Sequence, residues 1–154
     1  MPEPTVETKL SILSQCLEKK EGALSQILAI TENQSTLLAV ENADESIHAI
    51  FREMNREKQV LIDTVIACDK VFEKMFSELG EDFAGRAQPY KASVAALQAL
   101  IRRVMDIDVK IRLQENANKS LSQHTALPQK PIIKGLKADR KTLAREYGKN
   151  AKKN

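Results

Sequence analysis

The one pairing in this 154-residue chain with the spacing of a metal site is Glu45-Ser-Ile-His48. Glu and His three residues apart share a helix face. In di-iron bundles two such pairs converge with two further carboxylates. The second histidine, His124, has no Glu three residues before it, so the set is incomplete. His48 then reads as a surface residue in a first helical turn. Asp106 and Asp108 fall on different sides of a helix and cannot form an acid–base pair. Cys16 and Cys68 lack the CxxC spacing of a zinc or redox site. A Ser/His/Asp grouping, a glycine-rich phosphate loop and a Walker-type stretch are all missing. The residue types therefore point away from an enzyme and call for no metal or cofactor.

The elements that carry these residues are helical. Glycine and proline number five each, Trp is absent and aromatics make up 4%. Strands favour aromatic and β-branched residues, whereas this chain is rich in Leu, Ala, Glu, Lys and Gln. The chain is long enough to bury a core without disulfide or metal staples. Residues 1–124 hold 15 Lys and Arg against 19 Asp and Glu, a net of −4, while residues 125–154 hold 9 against 2, a net of +7. Such a tail either favours an acidic partner or is simply solvated. No apolar run is long enough for membrane insertion, and the Met-Pro-Glu-Pro start lacks the features of a signal peptide, so the cytoplasm is the expected location.

Apolar residues recur at spacings of three, four and seven from Leu10 to Leu38, from Ile47 to Leu79 and from Val94 to Ile111, the pattern of amphipathic helices. The expected fold is all-α: an elongated antiparallel three-helix bundle with a basic C-terminal tail. Its helices span about 5–39, 43–79 and 89–122 within a domain over 1–124. Residues 125–154 form the tail, with a short helix over 136–147. Thr5 suits the first N-cap, Asn42 with Glu45 has capping-box spacing, Gly80 suits the stop of the second helix, and Pro89 suits the start of the third. A turn centred near residue 42 puts Cys16 level with Cys68. The two thiols then approach each other in the core, unless they are independent small core residues.

The third helix carries more apolar surface than one interface needs. Its main stripe is Val94, Leu97, Ile101, Val104 and Ile111, widened by Leu100 and Ile107. A second line, Met105, Val109 and Leu113, follows i, i+4, i+8. Either the helix is wedged between the other two, or part of it awaits a partner's helix. Candidate partner-binding residues are Met105, Val109 and Leu113, with Leu121, Leu100 and Ile107. Self-association into a coiled-coil homodimer through the same surface is an alternative. So is nucleic-acid binding by the tail. That tail holds one aromatic, Tyr147, and no reading motif, so such binding would be salt-sensitive and not sequence-specific.

Three stretches resemble the FlgN-type flagellar export chaperones. They are Leu17-Glu18 through Leu38, with Leu-Ser-Gln-Ile-Leu-Ala-Ile-Thr-Glu-Asn-Gln; Phe51 through Ile66, with Glu57-Lys58-Gln-Val-Leu-Ile-Asp; and Ile107 through Leu121, with Leu113-Gln-Glu-Asn116-Ala-Asn118-Lys-Ser-Leu121. The resemblance covers most of residues 5–122. It implies a cytosolic, cofactor-free chaperone that binds the C-terminal amphipathic helices of hook-filament junction proteins and brings them to the flagellar export gate. Tyr147-Gly148-Lys149-Asn150 is similar to the family's gate-docking element, which implies that Tyr147 and Gly148 contact the gate. The further glycine often found after that tyrosine is absent here.

Overall fold

The computed structural model describes residues 4–83 and 88–122. Helix α1 spans Val6–Leu38, α2 Glu45–Asp82 and α3 Lys91–Ser122, with a short 3-10 turn Gln88–Tyr90 leading into α3. The described residues contain no strand. The fold is thus all-α, three long helices packed together. None of them is apolar enough over sufficient length to cross a membrane. The tail 125–154, with the expected helix 136–147, lies outside the described residues, as do His124, Tyr147 and Gly148.

All three helices bury one heptad seam. On α1 it is Leu10, Leu13, Leu17, Lys20, Leu24, Ile27, Thr31, Gln34 and Leu38; on α2, Phe51, Lys58, Ile62, Val65, Asp69, Phe72 and Leu79; on α3, Leu97, Ile101, Val104, Asp108, Ile111, Glu115 and Asn118. Steps of three and four residues keep such a seam facing its neighbours, as in coiled coils. Cross-helix pairs fix the directions. Lys9 meets Asp82 and Lys20 meets Asp69, so α1 and α2 are antiparallel. Glu21 meets Arg103 and Thr31 meets Asn118, so α1 and α3 are parallel.

The central helix is α1, not α3. Its backbone approaches both others, whereas no Cα of α2 lies within 8 Å of a Cα of α3 among the described residues. The wedge expected for the third helix is therefore corrected. Its main stripe packs on the bundle together with Leu100, Met105 and Ile107, while Val109 and Leu113 face outward.

The helix ends correct three further expectations. Thr5 does cap α1, accepting from the Thr8 amide at 3.1 Å. The cap of α2 is Asp44, which accepts from the Ile47 amide at 3.1 Å, and not Asn42. Asn42 instead takes φ 57°, the left-handed conformation that Asn tolerates better than most residues. This moves the centre of the turn toward residue 45. The pairs Lys9–Asp82, Lys20–Asp69 and Gln34–Asn55 then set Cys16 level with about residue 73, some 7 Å along the axis from Cys68. Both cysteines are free thiols. Burial pushes the Cys16 thiol up, and neighbouring Cys68 adds to the shift.

Gly80 does not stop α2. The helix continues through it to Asp82, with Phe83 as the C-cap. A methyl group at Gly80 or at Gly22, inside α1, would meet no atom within 4 Å. Gly22→Ala and Gly80→Ala are each expected to raise the unfolding free energy by about 0.5–1 kcal/mol. Urea titration followed by helical circular dichroism measures this, and an unchanged midpoint in both variants would contradict it.

Candidate functional site

The core is split by polar side chains standing at seam positions. The larger apolar cluster runs from Leu10 to Ile27 on α1 with its partners on α2 and α3. A smaller one, Leu38 and Phe51 with Leu37, Ile47 and Leu121, closes the hairpin end. Between them lies a layer built from all three helices. Lys58 Nζ donates to Gln34 Oε1 at 2.8 Å and faces Glu115 Oε1 at 3.5 Å. Gln34 Nε2 donates to Asn55 Oδ1 at 2.9 Å, and Asn118 Nδ2 donates to the Thr31 carbonyl at 2.8 Å. Lys58 is only 1% exposed. Burial pushes its ammonium group below the usual lysine value, and the Glu115 carboxylate opposes that shift.

A second buried layer sits midway along the bundle. Lys20 Nζ meets Asp69 Oδ1 at 2.6 Å, and Arg112 Nη2 donates to Asp108 Oδ2 at 2.8 Å. Burial pushes the Asp108 carboxyl above its ordinary 3.8, against the pull of Arg112 and Lys20. An acid that binds its proton more tightly when folded costs stability above its unfolded value, and the cost disappears as pH falls to that value. The stability of Asp108→Asn relative to the parent is thus expected to rise as pH goes from 3.8 to neutral. Thermal melts of both proteins across this range test the sign; a difference that falls with rising pH would overturn it.

The six residues expected to bind a partner do not form one surface. Leu100 is 8% exposed and belongs to the core, which removes it from any binding face. Ile107 and Met105 are partly buried against the main cluster, and Leu121 is partly buried on Leu38 and Phe51. Val109 is 44% exposed and Leu113 64%. Relative to the α3 seam these two occupy outward heptad positions, where a self-contained bundle normally carries charge. They form an aliphatic row one residue wide, with the half-buried Met105 one turn before it.

Sequence reasoning missed the charge arrangement around that row. Asp108 and Glu115 stand at seam positions seven residues apart and turn inward, while Arg102, Lys110 and Lys119 stay exposed. The signal was present: both acids fall in phase with Ile101, where an amphipathic pattern calls for an apolar residue. His48 is partly exposed, and no group of three or more His, Cys, Asp and Glu side chains among the described residues could hold a metal ion. Phe83 and Tyr90 stack at 5.5 Å where the chain enters α3, and Tyr90 donates to Glu7 at 3.3 Å, which ties the start of α3 to the start of α1. That joint orients the helix carrying the row. Comparison of the chain with protein-family models, with curated proteins and with solved structures returns no match.

Proposed function

We propose that this chain is a cytosolic chaperone of flagellar type III export. It holds the C-terminal amphipathic helices of hook-filament junction proteins and delivers them to the export gate. The observation that carries this reading is the aliphatic pair Val109 and Leu113 at outward positions of a helix whose inner seam is already satisfied. The pair falls inside Ile107 through Leu121, one of the stretches that resemble the FlgN-type chaperones. The other two, Leu17 through Leu38 and Phe51 through Ile66, lie within α1 and α2, in the helix order that the resemblance implies.

The energetics suit a carrier that must let go. Burying two aliphatic side chains contributes about 3–6 kcal/mol. Ordering a client helix costs about 2–5 kcal/mol, so the row alone gives weak, reversible binding, and contacts around it must add to it. Docking at the gate falls to Tyr147 and Gly148.

Calorimetry of the full chain with C-terminal peptides of hook-filament junction proteins tests the proposal. A one-to-one complex with a negative heat-capacity change is the expected result. No binding, with the protein sedimenting as a stable oligomer, would overturn it in favour of self-association.

A further inference from the structure

The outward face of α3 is basic, and the fold makes it so. Lys91, Arg102, Arg103, Lys110 and Lys119 are exposed on this helix, against Asp106 alone among its acids. Its other two acids, Asp108 and Glu115, are buried at the seam, where Arg112 and Lys58 face them. Arg103 is engaged by Glu21 of α1 through two hydrogen bonds of 2.7 and 2.9 Å. Among the described residues Arg102 and Lys110 form no ion pair, and both border the aliphatic row. Arg102 occupies the same heptad position as Val109, two turns earlier, and Lys110 lies beside Val109 and one turn before Leu113.

We infer that the partner of this face is an amphipathic helix whose apolar stripe is bordered by Asp and Glu. The inference rests on the helix-binding reading of Val109 and Leu113 and specifies the chemistry of the client. A row one side chain wide buries too little surface to choose among apolar helices. Charge complementarity at the rim supplies that choice and speeds encounter. The same complementarity excludes the chain's own C-terminal segment as the occupant, because residues 125–154 carry a net charge of +7. The narrowness of the row favours a helix over an anionic membrane. Surface-lying helices present a broad apolar face to lipid, whereas the broad face of α3 is spent on the bundle.

The test uses two designed helical peptides with identical leucine stripes, one flanked by Glu and the other by Lys, and vesicles containing phosphatidylserine. Each is titrated into the full-length protein. The Glu-flanked peptide is expected to bind about tenfold more tightly at low salt, with the preference fading at about 0.5 M salt. Arg102→Glu with Lys110→Glu should reverse the preference while leaving circular dichroism unchanged. Equal binding of both peptides, lost in Val109→Asp with Leu113→Asp, would overturn the charge inference and leave the helix-binding reading standing. Binding of neither peptide would overturn both. Vesicle binding that survives while both peptides fail would assign the face to anionic lipid instead.

Discussion

Lys58→Met is expected to lower the unfolding free energy by about 3–5 kcal/mol, a large part of the stability of a domain this size. The reason is asymmetry. The buried ammonium is itself a burden, as the downward push of burial on its protonation shows. Removing it alone strips Glu115 of the cation facing it at 3.5 Å and Gln34 of the donor at 2.8 Å, in a layer closed to water on three helices. Removing both charges is different. Lys58→Met with Glu115→Met replaces the pair by apolar groups of similar length and is expected to cost less than about 1.5 kcal/mol. Urea denaturation of the two variants gives the comparison. Equal costs in the single and double variants would mean that Lys58 and Glu115 are not coupled.

The same layer explains what could be read from the sequence and what could not. Helix existence was legible because leucines and isoleucines at steps of three and four leave little else for the chain to do. The Thr5 cap was legible because a hydroxyl before an apolar-periodic run satisfies a free amide in only one way. The α1–α2 register was misplaced because Asn42 and Asp44 are both good capping residues. Only backbone conformation, with Asn42 at φ 57°, decides between them. Gly80 was misread as a stop because glycine ends helices by taking positive φ, and here it simply occupies an exposed helical position. The central place of α1 was hidden because all three helices carry the same heptad seam. The wide arc of α3 suggested the wedge, but Leu100, Met105 and Ile107 join the core while Val109 and Leu113 point away from the bundle.

The polar seam was the largest omission. Lys20, Lys58, Asp69, Asp108 and Glu115 sit in core phase, yet a charged residue inside an apolar pattern reads as a gap in the periodicity. Only the neighbouring helix turns that gap into a contact. For the outward row the reverse holds. The spacing of Met105, Val109 and Leu113 was visible, but whether it met another helix of the same chain depended on how α2 and α3 stand apart. Leu100, one turn before Val104, joins the main core cluster, and Leu121 packs on the hairpin-end cluster.

Val109→Asp combined with Leu113→Asp is expected to weaken client-helix binding by about 10²–10⁴-fold, as each lost aliphatic contact is worth about 1.5–3 kcal/mol. A carboxylate at either position also leaves a desolvated charge in the complex, which pushes the effect toward the upper end. The fold should tolerate both changes. The two side chains are 44% and 64% exposed in the free protein, and no core cluster includes them. Helix content and melting temperature should therefore stay close to the parent values, separating a binding defect from an unfolding one. Position matters more than exposure. Val60 on α2 is 66% exposed, more than either residue of the row, but it lies off α3. Val60→Asp should leave binding unchanged. Calorimetry of the three proteins against one client peptide decides the matter: equal affinity for the parent and the double variant would remove α3 from the interface, and a loss in Val60→Asp would move the interface to α2. If only the double variant fails, client capture depends on the outward row of α3 and not on the exposed apolar residues of α2.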